Sequence, residues 1–276
     1  MSLIDRIGVD MGGRRPLEEA LKVAAASGLK YIDVQLDTGA NKVNAFDDVR
    51  IAAVRALAER LGVKFGLHTL SAVNVAEYSP FLDEAMDNYL RAYIDIAPKL
   101  GAQHIVVHAG YHFSSDKARR MEVGRERLAR MADYAHKKGA LLLLENMNKE
   151  PADAEVHYLA HTLEEWQYYF EEIDSPALAL SFTANHAHLV PEGIDGFLDH
   201  MPLERVFEVR LADCLRNGKE EHLMIGDGDL DFGRLFARLE SKGFRGHYVN
   251  AFVSLEAMLS ARPQLVELAR SAGVSV

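Results

Sequence analysis

The sequence predicts a single (β/α)8 barrel spanning residues 1–276. Eight short apolar runs alternate with eight longer amphipathic stretches from one end to the other. Strict alternation of this kind implies parallel strands joined by crossover helices. A chain of 276 residues is a usual length for eight such units closed into one barrel. No linker, low-complexity tract or shift in composition marks a second domain.

The units follow in order. The first strand is expected at RIGVDM (6–11), with a helix over 16–26. YIDVQL (31–36) precedes a helix over 46–61, whose first turn carries Asp47 and Asp48, favourable at the positive end of the dipole. KFGLHT (64–69) precedes 80–99, and HIVVHA (104–109) precedes 117–138. LLLLEN (141–146) is followed by a helix over 162–173, and LALSFT (178–183) by one over 194–200. VFEVRL (206–211) leads to 232–242, and HYVNAF (247–252) to 255–272. Gly28, Gly62, Gly101, Gly139 and Gly243 each sit just past a helical stretch, where a left-handed C-cap suits glycine.

Composition narrows the function classes. Hydrophobic residues make up 49% and charged residues 26%, with a net charge of −10. Holding a polyanion needs clustered Lys and Arg, so nucleic acid is not the expected partner; a small molecule is. The opening MSLIDRIGVD lacks a basic segment followed by an apolar one, so no secretory signal is expected. No apolar run approaches the length of a membrane span. The single cysteine, Cys214, excludes an internal disulfide and fits a reducing cytoplasm. It has no evident base partner, so no thiol nucleophile is expected.

Strand parity sorts the side chains, because alternate residues face opposite sides. Ile32, Val34 and Leu36 oppose Asp33 and Gln35; Phe207, Val209 and Leu211 oppose Glu208 and Arg210. The bulky apolar set is expected under the helices and the small or polar set inside the barrel. Following the inward parity to each C-terminal tip gives Gln35, His68, His108, Glu145, Thr183, Arg210 and Asn250, with Asp10 from the first strand. Barrel active sites lie at this end. His68, His108 and Glu145 form a candidate triad for a divalent ion such as Zn or Mn. The alternative is that each imidazole only hydrogen-bonds within a polar barrel. His104 and His108 do not chelate together: four residues along a strand span about 13 Å. His104 is expected at the opposite, structural end.

Several motifs are weaker. An EF-hand beginning at Asp227 fails, because Phe232 and Arg238 stand where Gly and Glu are required. Asp229 and Asp231 are expected to cap the next helix, and the 226–237 segment to close over a substrate. His186 and His188 could chelate as i, i+2 on an extended strand, or His186 alone could face the pocket. Trp166, Tyr168, Tyr169 and Phe170 are expected in packing or a subunit contact, leaving a homodimer or higher homo-oligomer open. Tyr111, His112 and Phe113 are candidates for a substrate wall.

The segments GLHTL (66–70), VVHAG (106–110), LLLENM (142–147), TANHAHL (183–189), VRLADC (209–214) and HLMIGDGDLDF (222–232) together resemble the sugar phosphate isomerase/epimerase superfamily. These are the xylose isomerase-like barrels, which include an apurinic endonuclease branch. The isomerase branch holds a metal with Glu, Asp, His and Glu from strands five to eight. Glu145 keeps the first position, whereas Thr183, Arg210 and Asn250 replace the other three; His186 and Asp213 are kept. The resemblance implies a site in which Glu145, His108 and Arg210 are catalytic. It implies a carbohydrate-like substrate bound by Gln35, Thr183, His186, Asp213, His222 and Asn250. The implied reaction is isomerisation or epimerisation by proton abstraction next to a carbonyl, with Glu145 as base. The lost ligands leave open a metal-free enzyme in which Arg210 takes the ion's place. His68, His108 and Glu145 resemble one metal site of the endonuclease branch, and His186, Glu220 and His222 another. A metal-dependent hydrolase, a lyase or dehydratase, and a non-catalytic sugar-binding protein are the alternative readings.

Overall fold

The computed structural model describes residues 2–113, 115–216 and 219–276. Eight parallel strands close a barrel: β1 (Ile7–Asp10), β2 (Tyr31–Val34), β3 (Lys64–His68), β4 (Ile105–Val107), β5 (Leu142–Glu145), β6 (Leu178–Thr183), β7 (Val206–Leu211) and β8 (His247–Asn250). Each pairs with the next in sequence, and β8 returns to β1. The helices between them are α1 (Leu17–Ala26), α2 (Asp48–Leu61), α3 (Asp83–Leu100), α4 (Lys117–Lys138), α5 (Leu163–Glu172), α6 (Gly193–His200), α7 (Phe232–Ser241) and α8 (Leu255–Ser271). All sixteen elements match the expected positions to within a few residues. Among the described residues, no helix is long and apolar enough to cross a membrane.

Local chemistry sets the boundaries. Asp47 starts α2 by accepting the Arg50 N–H at 2.8 Å, and Asp231 starts α7 by accepting that of Arg234 at 2.9 Å. Gly62 and Gly139 end α2 and α4 with φ of 64° and 72°, a conformation costly for any residue with a Cβ. Besides three 3-10 turns, four short elements among the described residues were not legible in sequence. Leu3–Arg6 makes one helical turn before β1. Ala184–His188 makes another after β6. Tyr111–His112 pairs antiparallel with His157–Tyr158 above the barrel mouth.

Register decides which side chains share the interior, since paired residues of neighbouring parallel strands face the same side. Asp10 pairs with Asp33, Asp33 with Gly66 and His68 with Val106. Glu145 pairs with Ser181, Thr183 with Arg210 and Arg210 with Val249. One expectation falls here. Asn250 pairs with Leu211 and so faces the helix layer, where its side-chain N–H donates to the Met258 carbonyl at 2.9 Å. Val249 takes the inward position on β8.

The lower barrel is filled by a polar plug rather than by branched aliphatics alone. The Tyr31 hydroxyl lies 2.8 Å from Asp33 Oδ1, 2.8 Å from His104 Nε2 and 2.9 Å from Glu208 Oε2. His104 is thus separated from His108 and buried in the structural network at the opposite end of the barrel, as expected. Gly8 and Gly66 make room for the tyrosine: a Cβ at Gly66 would stand 2.3 Å from its hydroxyl oxygen. Val106, Leu143 and Ala179 fill the opposite side. Trp166, Tyr169 and Phe170 are buried under α5, which settles them as packing residues.

Candidate active site

The C-terminal strand tips surround a cavity of about 320 Å³, into which Gln35, His68, His108, Glu145, Thr183 and Arg210 project. Asp10, His186, Glu220 and His222 are among its other polar lining residues. Seven strands and two loops therefore bring together most of the residues expected from parity.

At its floor, three ligand atoms converge. His68 Nε2 and His108 Nε2 are 3.1 Å apart, and Glu145 Oε2 lies 3.1 Å from the second and 3.4 Å from the first. Bonds of roughly 2.0–2.1 Å to a tetrahedral ion place adjacent ligand atoms about 3.3 Å apart. The spacing matches that geometry, and the donor set is of the kind that suits zinc or manganese.

The ring orientations agree. Thr69 Oγ1 donates its proton to the Val106 carbonyl at 2.9 Å, so it can only accept from His108 Nδ1, 3.3 Å away. His68 Nδ1 faces Asp33 Oδ2 at 3.7 Å. His186 Nδ1 donates to the Asn146 carbonyl at 2.8 Å, and His222 Nδ1 to the Ala251 carbonyl at 2.5 Å. His108 and His186 thus present Nδ1 to an oxygen and Nε2 to the cavity, the tautomer a metal ligand needs; His222 Nε2 instead meets Glu220 at 2.6 Å, and His68 Nδ1 has no hydrogen-bond partner.

Charge is arranged to match. Burial alone would raise the Glu145 carboxyl, but hydrogen bonds from His108 and His68 and the Arg210 charge hold it well below its ordinary value. Burial and Arg210 push His68 down, yet Asp33 and Glu145 prevail and hold it at about 9. The space between these two carboxylates thus attracts positive charge, as a proton on His68 or as an ion. Burial lowers His186, leaving it neutral near pH 7.

Arg210 lies inside the barrel, as parity places it, but its guanidinium forms the structural ion pairs that were the alternative to gripping an anion. Its Nη1 pairs with Asp33 and lies 3.2 Å from Glu208 Oε1, while Nη2 lies 2.6 Å from Asp10 Oδ2. Only Nε approaches Glu145, at 3.8 Å from Oε1. The fork is occupied by carboxylates, so it serves as a fixed counter-charge in the wall and not as a free grip for an anion. Thr183 Oγ1 donates to Glu145 Oε1, orienting that carboxylate.

A second cluster faces the first across the cavity. Glu220 Oε1 stands 2.6 Å from His222 Nε2 and 3.9 Å from His186 Nε2. His186 reaches it from a helical turn, not an extended strand, which turns His188 away to Asp229 at 2.7 Å. Asp229 therefore does not cap α7; Asp231 does.

Two expected residues do not reach the cavity. Asn250 faces outward, as the register requires. Asp213 is buried and accepts the backbone N–H groups of Cys214, Gly226 and Leu230 at 2.9, 2.8 and 3.2 Å. It ties the end of β7 to Gly226 and Leu230, so the 226–231 part is held over α7 and α8 instead of closing over the cavity. Burial and the nearby Asp213 charge push the Cys214 thiol up to about 12, consistent with an inert cysteine. Of the aromatic wall expected after β4, Tyr111 meets Tyr158 edge-on, and Tyr158 is the one lining the cavity.

Other residues had no sequence signal. Asn146 holds the Thr183 backbone through both ends of its amide, at 2.7 and 3.0 Å. Asn185 is 1% exposed, lines the cavity, and leaves its side-chain N–H donor without a protein partner. Such a buried donor is costly unless a ligand meets it.

A profile of xylose isomerase-like TIM barrels matches residues 21–262. The fold resembles several solved structures. A D-tagatose 3-epimerase-like protein superposes with a TM-score of 0.81 at 21% identity, covering 97% of this chain and 98% of that one. D-psicose 3-epimerase from Clostridium cellulolyticum H10, solved with D-tagatose, gives 0.79 at 15% identity, with 97% and 99% covered. An L-ribulose 3-epimerase gives 0.76 at 17% identity, with 99% and 96% covered. A search of curated proteins finds no match.

Proposed function

Because the chain belongs to the xylose isomerase-like TIM barrel family, we propose that it is an isomerase or epimerase acting on a small polyhydroxylated carbonyl compound. A divalent ion, zinc or manganese, would be held by His68, His108 and Glu145. The observation that carries this reading is the convergence of three ligand atoms at 3.1–3.4 Å, on imidazoles whose other nitrogens face oxygen. When bound, the ion supplies a Lewis acid that polarises a substrate oxygen.

The chain's own residues do the rest. Glu145 stays ionised and oriented by Thr183, which suits a ligand and makes it a poor base. His186, neutral and with Nε2 directed at the cavity, is the better proton acceptor. The Glu220–His222 pair beside it can pass that proton toward solvent. Asn185 and Gln35 offer amides to substrate hydroxyls. Arg210 keeps the buried carboxylates charge-balanced.

Two measurements test this together. Elemental analysis should find one divalent ion per chain, lost in His108→Ala and retained in His186→Asn. Solvent deuterium should enter a keto-sugar substrate with the native protein and not with His186→Asn. Turnover by an ion-free protein would overturn the assignment. A second reading rests on the His186, Glu220 and His222 cluster, which offers three ligands of its own. Two ions per chain, with turnover but no deuterium exchange, would make the protein a two-metal hydrolase instead.

A further inference from the structure

A larger cleft of about 820 Å³ opens beside the catalytic cavity, between the β1–α1 and β8–α8 loops. The two spaces share Asp10, Gln35, His222 and Ala251 as walls, so they adjoin one another. The small chamber holds the chemistry and the large one has no assigned role. A ligand filling both is larger than its reacting part.

The charge of the cleft departs from that of the molecule. The chain carries a net charge of −10, yet Arg14 and Arg15 both line this space. Asp10 lines it too, but Arg210 Nη2 already occupies its Oδ2 at 2.6 Å. Glu256 is the remaining acidic lining residue. Arg15 has a loose partner in Glu19, 3.7 Å away and half exposed.

The turn bearing the two arginines is built. Asp10 Oδ1 accepts the Gly12 N–H at 2.7 Å, closing it at one end. At the other, Asn41, 1% exposed, donates to the Arg15 carbonyl at 2.6 Å and accepts the Leu17 N–H at 2.9 Å. Gly13 lies against the β2 loop so closely that a Cβ would stand 2.7 Å from Thr38 Oγ1. The guanidinium stems thus leave a fixed backbone at the lip of the active cavity. Planar guanidinium groups match the oxygens of a phosphate or carboxylate.

We infer that this cleft is a subsite for an oxyanionic tail of the substrate, a terminal phosphate or carboxylate bound by Arg14 and Arg15. The inference rests on the reading that the adjoining cavity acts on a polyhydroxylated carbonyl compound, and it narrows that class to anionic members.

The test is a set of calorimetric titrations with D-fructose, D-fructose 6-phosphate and D-fructuronate. The proteins are the native chain, an Arg14→Ala/Arg15→Ala double variant and His108→Ala. The native chain should bind at least one anionic probe roughly tenfold more tightly than the neutral sugar. That preference should vanish in the double variant and persist in His108→Ala. Whichever of phosphate or carboxylate gains more identifies the tail. No preference for either anion, or a preference that the double variant keeps, would overturn the subsite. Both arginines are solvent-exposed, so an unchanged melting temperature in the double variant shows that it folds. If deuterium exchange and ion binding fail while the anion preference holds, the catalytic reading falls and the subsite stands.

Discussion

Replacing Arg210 by Met removes the one guanidinium that balances the barrel interior while keeping most of its volume. Arg210 is 5% exposed and meets Asp10, Asp33 and Glu208, with Glu145 at 3.8 Å. Asp33 and Glu208 are fully buried; they would keep only Tyr31, His104, His68 and Ser181 as partners. Breaking one buried pair by removing a partner costs about 3–5 kcal/mol. For a chain of this size each kcal/mol lowers Tm by about 2–4 °C, so the variant should melt roughly 6–20 °C lower at pH 7. The pH dependence has a defined sign. Asp33 and Glu145 have native carboxyl affinities for protons held below their unfolded values. Their stabilising contribution is present above the ordinary carboxylate range and is lost as pH falls toward the native values. The gap between native and Arg210→Met should therefore be widest near neutrality and narrow below about pH 4. Differential scanning calorimetry at pH 7, 5 and 3.5 measures it. A gap under about 3 °C at pH 7, or one that grows on acidification, would refute the claim that this guanidinium holds the interior carboxylates.

Two further outcomes follow from other parts of the barrel. Gly66→Ala would drive a methyl to 2.3 Å from the Tyr31 hydroxyl and 2.7 Å from Asp33 Oδ1. It should cost more than about 3 kcal/mol in urea unfolding, because overpacking and a broken polar network add; a loss under 1 kcal/mol, on the order of a surface change, would contradict the plug. Glu165 is buried, yet His161 and Lys117 outweigh burial and hold its carboxyl at about 2, below its unfolded value of 4.5. Glu165→Gln should lose up to about 3 kcal/mol at pH 7, a loss that shrinks as pH falls from 4.5 toward 2; a pH-independent difference in urea midpoint would exclude the ion pairs as its cause.

The same contrast between local and distant determinants runs through the candidate site. His68, His108 and Glu145 were legible because period-two alternation is local, and a polar residue at an inward strand tip has few other places to go. Asn250 shows the limit. Its strand reads equally well in either parity, and only pairing with β7 turned it outward. Arg210 was correctly placed inside the barrel, but its role depended on Asp10 and Asp33, which are 200 and 177 positions away. Asp213 looked like a site residue until the backbone amides of a later loop claimed both its oxygens.

The sequence by itself determined the barrel, the eight strand–helix units, their caps and most of the polar lining, because hydrophobic period, glycine conformation and capping chemistry act over a few residues. The tertiary structure alone decided which lining groups meet. Closing the sheet set the register that aims three ligand atoms at one point. The same closure surrounded Arg210 with carboxylates and set the strand-tip cavity beside an arginine-lined cleft, through contacts between residues that no local pattern connects.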